Sequence, residues 1–277
     1  KINLEGKIII LESTVYPGVT RKFANQIKLS NKNLKIGINI FIGYSPEREN
    51  PGDKSFTYQK TPKVISGFSK KCENIMKKIY SSIAKKTYLC NTLEEAEASK
   101  LLENLYRSIN IALANEMKLI CSKLKINVHN VIKTASTKNF GFQKFIPGPG
   151  LGGHCIPIDP YYLSWISEKK GYEPLLLKSA AKINNNMPNI ITNKILKYFK
   201  SKPRILIFGI AYKKNVDDDR ESPSFEFMKL FKKRGIKFDY FDPYFIKIKK
   251  GRKISLEKKS IKLNLKNSKK YDCGLIV

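Results

Sequence analysis

Apolar and polar positions change their period twice along the chain. Up to about Asn91, short apolar runs alternate with amphipathic stretches. Lys7–Leu11 is a continuous apolar run closed by Glu12-Ser13-Thr14, and Ile36–Ile42 runs into Tyr44-Ser45-Pro46-Glu47. Val64–Gly67 reads as a third strand, Lys70–Ala84 as an amphipathic helix and Thr87–Cys90 as a fourth strand. Apolar runs of this length ending in polar loops predict buried parallel strands. From Leu93 to about Lys125 the period lengthens to three or four residues, with neither Gly nor Pro. That predicts one long helix. Further helical patterns cover Val128–Ser136, Tyr161–Lys170 and Pro174–Lys200, around a Gly/Pro loop from Phe140 to Pro160. From Pro203 the short runs return: Arg204–Ile210, a helix over Ser222–Arg234, then Ile236–Phe241. This is a βαβ unit.

The pattern therefore predicts an α/β protein with parallel-sheet domains at both ends, joined by a helical central domain. The divisions fall at 1–91, 92–200 and 201–277. The terminal elements, Lys7–Leu11 and Cys273–Val277, are apolar strands, and Lys1 is not a methionine. The expectation is a piece of a longer protein, truncated at both termini. No repeat of solenoid period is visible.

Composition narrows the picture. The 277 residues, 42% hydrophobic and 11% aromatic, suffice for about two domains with real cores. No uncharged apolar run reaches the roughly 18 residues of a membrane span, and no signal-peptide layout is present. The five cysteines (Cys72, Cys90, Cys121, Cys155 and Cys273) form no CxxC pair, and the only histidines are His129 and His154. That argues against a disulfide framework or a metal site and for a reducing cytoplasm. The net charge is +30. A nucleic acid would suit such a charge. The basic residues are scattered, however, and no RNP-like or finger-like motif accompanies them, so a lysine-rich solvated surface is the favoured reading. A small anionic ligand such as a nucleotide fits either.

Four constellations can carry chemistry. Ile146-Pro147-Gly148-Pro149-Gly150-Leu151-Gly152-Gly153 is a glycine loop whose backbone N–H groups can approach an anion or ring closely. Cys155 follows, with Asp159 four residues on. The thiol is either a nucleophile or an inert structural cysteine, and spacing alone leaves both open. His154 is its sequence neighbour, and adjacent side chains point apart. On the long helix, Lys100 and Asn104 stand i, i+4 on one face, beside Glu97. A cation and an amide so placed can stabilise an oxyanion, although a solvated stripe or a Glu97–Lys100 ion pair gives the same spacing. Ser13, Thr14 and Glu47 follow predicted strands, where ligands sit in open α/β sheets; Glu47 suits acid/base work, and each is equally at home in a turn. Finally, Lys213 and Arg220 lie in the polar loop before Ser222-Pro223, an N-cap and N1 pair, and can meet a phosphate there. No GxGxxG fingerprint is present.

Together, Glu12-Ser-Thr-Val-Tyr-Pro-Gly18, Tyr44-Ser-Pro-Glu-Arg48, Glu95-Ala-Glu-Ala-Ser-Lys100-x-x-x-Asn104, Gly152-Gly-His-Cys155-x-Pro-x-Asp159 and Tyr212-Lys213-x-Asn-x-x-Asp-x-Arg220-Glu-Ser-Pro223 resemble, in order, the UDP-glucose/GDP-mannose dehydrogenase family. The stretch Phe140–Leu163 is most similar to its bacterial UDP-N-acetylglucosamine 6-dehydrogenases. The resemblance implies Rossmann-like end domains, the first binding NAD and the last UDP. It implies oxidation of a sugar C6 alcohol to a carboxylate with two NAD⁺, in surface polysaccharide synthesis. Cys155 would form a thiohemiacetal and then a thioester, Lys100 and Asn104 would stabilise the oxyanion, and Asp159 would assist thiol and water. Thr14 and Glu47 would position water near C6. Residues 146–152 and Lys213 would hold the UDP-sugar, and Ser13, Thr14 and Arg220 would lie near NAD. A homodimer or higher oligomer is expected, joined through the long helix. The family's GxGxxG would precede Lys1. Pro51 stands where UDP-glucose enzymes carry a second glutamate, and Ile158 where they carry a lysine. Pro51 argues against UDP-glucose, and Ile158 is consistent with the acetamido-sugar branch; UDP-N-acetylmannosamine or UDP-glucose is the alternative substrate.

Overall fold

The computed structural model describes residues 3–49, 59–153, 156–248 and 256–277. The opening region is a four-stranded sheet, in order β1-β2-β3-β4, from β1 (Lys7–Leu11), β2 (Ile40–Tyr44), β3 (Lys63–Gly67) and β4 (Thr87–Leu89). β1 pairs with β2, and β3 with β4, in parallel. Between them β2 and β3 run antiparallel, with Gly43 opposite Gly67 and Tyr44 opposite Ser66. An apolar run reads the same in either direction, so the pattern does not carry that reversal. β2 and β3 are almost wholly buried, whereas β1 is the edge and leaves Ile8 exposed.

Helix α1 (Val19–Ser30) packs Ala24 and Ile27 against Leu34, Ile40 and Ile42. Its N-cap is Gly18, left-handed at φ 98°, and no local side chain caps it. Helix α2 (Lys70–Ser81) begins on a Ser69 cap that accepts from the Cys72 amide, and buries Cys72, Met76 and Tyr80 at four-residue spacing. β3 meets α2 so closely that a Cβ on Gly67 would lie 2.3 Å from the Glu73 amide nitrogen. Only glycine fits there.

The long helix α3 (Leu93–Lys123) runs 31 residues, as its unbroken period predicts. Helices α4 (Val128–Ala135), α5 (Asp159–Lys169) and α6 (Leu175–Leu196) follow. Asn127 caps α4, and α6 keeps its course through Pro188.

Next comes a parallel three-stranded sheet, order β6-β5-β9, of β5 (Ile205–Phe208), β6 (Phe238–Phe241) and β9 (Cys273–Ile276). Its crossover helix α7 (Pro223–Arg234) starts, as the sequence predicts, with Ser222 as cap and Pro223 in the first turn. Phe227, Met228 and Phe231 of α7 bury against Ile205, Ile207 and Tyr240. β7 (Lys247–Ile248) and β8 (Lys258–Lys259) form a short antiparallel pair, and α8 (Leu265–Ser268) precedes β9.

The chain divides into two compact units. One holds residues 1–106 and 159–173, the other 107–158 and 174–277. α3 runs from the first unit into the second, and α5 belongs to the first. No helix among the described residues is long and apolar enough to cross a membrane.

Candidate functional site

In the first unit, the C-terminal ends of β1 and β2 lie side by side, tied by Ser45 N donating to Leu11 O and Glu47 N to Glu12 O. The Tyr44 hydroxyl, on a fully buried ring, donates to Ser13 O. Its pKa is driven far up, first by burial and then by the charges of Glu97, Asp159 and Glu103. That places α3 and the start of α5 beside the strand ends. The phenol stays protonated and serves as a donor.

A hydrogen bond joins the two helices: the Asn104 amide donates from Nδ2 to Asp159 Oδ2. Both side chains are buried. One Asn104 N–H is spent on Asp159, and the second remains for another acceptor. Lys100 is half-buried, one turn before Asn104 on the same face. Asp159, Asn104 and Lys100 thus lie along one polar edge, near the ends of β1 and β2.

Glu97, on the same helix, takes a different role from the ion pair its spacing allowed. Its buried carboxylate accepts the Gly18 amide at 2.5 Å and the Thr20 amide at 2.7 Å, closing the uncapped start of α1. Burial raises its pKa, and the hydrogen bonds from Thr20 and Gly18 oppose the rise. A helix N-terminus favours a carboxylate because its amides point outward. The sequence carried no signal for this, since the cap lies 79 and 77 residues from the amides it serves.

Thr14 opens a pocket with Val15, Tyr16 and Val19 on one side and Tyr162 and Trp165 of α5 on the other. Its volume is about 450 Å³, and the Tyr16 and Trp165 rings stand 5.1 Å apart at one wall. Glu47 is half exposed, and Ser13 is exposed. Glu47 pairs with Lys63, whose ammonium lies 3.3 Å from Glu47 Oε2, and its Oε1 accepts the Arg48 amide at 2.7 Å. Arg48 in turn pairs with Glu103 of α3 at 2.7 Å.

The glycine loop belongs to the second unit and is already partly hydrogen-bonded. Gly148 N donates to Asn115 Oδ1 at 2.9 Å, Asn115 Nδ2 to Asn184 Oδ1 at 2.9 Å, and Asn184 Nδ2 to Ser108 O at 3.0 Å. Asn115 and Asn184 are fully buried, so this chain fixes the loop from beneath. At its other end Gly153 N donates to Arg220 O at 3.1 Å. A Cβ on Gly153, at φ +89°, would sit 2.8 Å from the Tyr212 ring, and one on Gly152 would sit 2.9 Å from Tyr212 Cβ. These two glycines are explained by the close approach of Tyr212. Two of the loop's amides therefore serve the protein itself.

Lys213 and Arg220 share the loop between β5 and α7 with Tyr212. Arg220 holds a bidentate pair with Asp218, at 2.9 and 2.7 Å. Asp219 has a raised pKa, chiefly from burial. Cys155 and His154 lie outside the described residues, as does Pro51. Ile146, Pro147, Pro149, Gly150 and Leu151 complete the described loop, with Gly150 against α6 near Asn184 and Pro188.

Residues 1–84 match the NAD binding domain of the UDP-glucose/GDP-mannose dehydrogenase family, 94–186 its central domain and 206–277 its UDP binding domain. The chain belongs to that family. It is 35% identical over 246 residues to the UDP-N-acetyl-D-glucosamine 6-dehydrogenase of Salmonella typhi, covering 86% of this chain and 57% of the relative. It is 37% identical over 244 residues to the UDP-N-acetyl-D-mannosamine dehydrogenase of Methanococcus maripaludis, covering 87% and 54%. The structure of a UDP-D-ManNAc dehydrogenase from Pyrococcus horikoshii matches with a TM-score of 0.79 at 34% identity, over 87% of this chain and 58% of that one. The chain thus spans a little over half the length of these relatives.

Proposed function

We propose that the full protein is an NAD-dependent UDP-sugar 6-dehydrogenase that oxidises the C6 alcohol of UDP-N-acetylglucosamine to a carboxylate through Cys155. The observation that carries this reading is the buried Asn104–Asp159 pair on the Lys100 edge, beside the strand ends that bear Thr14 and Glu47. The nucleophile's place in sequence, four residues before Asp159, joins it to that edge. NAD, when bound, would supply the hydride acceptor for the two oxidations at C6. The residues described fit the nicotinamide end of that cofactor: Thr14 and the Tyr16, Tyr162 and Trp165 rings frame a pocket suited to a flat ring. They offer no pyrophosphate site at α1, whose first amides are taken by Glu97. Ser13 and Arg220 complete the proposed cofactor contacts.

In this mechanism Thr14 and Glu47 hold the substrate hydroxyl or the water near C6, and Glu47 accepts a proton. The Cys155 thiolate adds to the aldehyde carbon while Lys100 and the second Asn104 N–H stabilise the oxygen that becomes negative. After the second oxidation, water adds to the thioester carbonyl, the C–S bond breaks, and thiolate and carboxylate separate. Asp159, fixed by Asn104, assists the thiol and the water. Residues 146–152 and Lys213 hold the UDP-sugar. Asn115 and Asn184 support that loop from below.

The acetamido sugar is favoured by Pro51 and Ile158, and by the acetamido-sugar names of the relatives above. UDP-N-acetylmannosamine is the second reading, supported by the Methanococcus and Pyrococcus similarities. In the full-length protein, NADH formed per sugar consumed should be two with UDP-N-acetylglucosamine and near zero with UDP-N-acetylmannosamine and UDP-glucose. Two NADH with the mannosamine substrate alone would move the assignment to the second reading. No NADH from any of the three, with folded protein, would refute the dehydrogenase reading.

A homodimer in the cytoplasm completes the proposal. α3 leaves Leu102, Tyr106, Leu113 and Ile120 exposed at spacings of four and seven, an apolar stripe on one helix face. Among the described residues Cys72, Cys90, Cys121 and Cys273 are free thiols. Leu113→Glu in the full-length protein should shift the sedimentation coefficient from dimer towards monomer. An unchanged dimer would place the interface elsewhere.

A further inference from the structure

We infer that Lys63 is a positioning residue for the hydrolytic half of the reaction, holding Glu47 in the direction from which it takes a proton from water. The inference rests on the reading of Glu47 given above. Lys63 opens β3, and its side chain is only 3% exposed. A lysine so buried needs anionic partners, because stripping water from an ammonium is costly. Two carboxylates flank it: Glu47 Oε2 at 3.3 Å and Glu12 Oε1 at 3.6 Å. The Tyr80 ring lies 5.4 Å below the ammonium, and the Tyr80 hydroxyl donates to Glu12 Oε1.

The sheet explains why the lysine is there. β3 runs antiparallel to β2, so the beginning of β3 falls beside the end of β2. Extending the observed register, Gly43 opposite Gly67 and Tyr44 opposite Ser66, sets Glu47 opposite Lys63. With a parallel β3, Lys63 would lie at the far edge of the sheet. Glu12 and Glu47 are each about half exposed, so both reach from the buried ammonium towards solvent. Lys63 thus holds Oε2 of Glu47 while the Arg48 amide donates to Oε1 at 2.7 Å, and the half-exposed carboxylate keeps a fixed orientation with its remaining lone pairs towards water. In hydrolysis the water oxygen bonds to the thioester carbon, its proton passes to Glu47, and the Cys155 thiolate leaves. A carboxylate whose orientation is held in this way performs that transfer in a fixed direction. A loose one spends its time elsewhere.

The test uses the full-length protein. Lys63→Met keeps the length of the side chain and removes the charge. Its first-turnover burst of NADH should survive, while the steady-state rate falls by about 10- to 100-fold, the usual scale for loss of a supporting partner. Mass spectrometry of acid-quenched enzyme should then find the Cys155 peptide carrying the sugar acyl group. Lys63→Arg should restore much of the steady-state rate. Lys63→Gln gives the same reading if the methionine variant does not fold. A steady-state rate within twofold of the parent, or loss of the burst in step with the steady state, would overturn the inference. Glu47→Gln separates the two levels. If it accumulates the acyl-enzyme and Lys63→Met does not, the positioning role fails alone. If Glu47→Gln leaves turnover unchanged, the reading of Glu47 fails first.

Discussion

Serine in place of Cys155, in the full-length protein, should stop carboxylate formation and leave UDP-sugar binding within a few-fold of the parent. The two half-reactions explain the split. Oxidation of an alcohol to an aldehyde needs no covalent link to the protein. The second oxidation, in the proposed mechanism, needs the carbonyl carbon bound to a nucleophile that later leaves. A thiol supplies an appreciable thiolate fraction at neutral pH, and a serine hydroxyl without a dedicated base supplies almost none. The expected loss in kcat is at least about 10³-fold, or about 4 kcal/mol of barrier. Carboxylate is quantified by chromatography of the nucleotide sugars, and binding by calorimetry with the UDP-sugar. Serine-variant turnover within tenfold of the parent would remove Cys155 as the nucleophile.

Much of the frame was legible because local signals agree with one another. Ile205–Phe208 is a short apolar run and Ser222-Pro223 a cap and first-turn pair; both predict the βαβ unit that forms. The length of α3 follows from an unbroken period. What escaped the sequence was long-range. α1 has no cap of its own and depends on Glu97, so its start carries no local mark. The direction of β3 is absent from an apolar pattern, and with it the pairing of Lys63 and Glu47. Lys63 read as one basic residue among 53 Lys and Arg until burial singled it out.

The candidate chemistry divides in the same way. Lys100 and Asn104 were placed on one face by their spacing alone, but only the fold supplies Asp159 as the partner that orients Asn104. The glycine loop was legible as a special segment, while the reason for two of its glycines was not. Gly152 and Gly153 answer to Tyr212, some 60 residues away in the chain. A glycine-rich stretch reports that something approaches closely. It does not say whether that is a ligand or another part of the protein.

The polar edge on α3 gives the second large effect. Lys100→Met should lower kcat by about 10²- to 10³-fold with little change in KM, because charge on the carbonyl oxygen develops only as the thiolate adds and recedes. Asn104→Leu should match that loss and also lower stability by about 1–3 kcal/mol, since it leaves the buried Asp159 carboxylate without its amide donor. The methionine variant, at a half-buried site, should melt close to the parent. The two substitutions act on one oxygen, so the double variant should fall well short of the product of the single losses. Steady-state kinetics on all four proteins, with thermal melts beside them, measures both quantities. A rise in KM at constant kcat would show that Lys100 binds the substrate equally in its ground and transition states. Fully multiplicative losses would show that Lys100 and Asn104 serve separate steps rather than a common oxyanion.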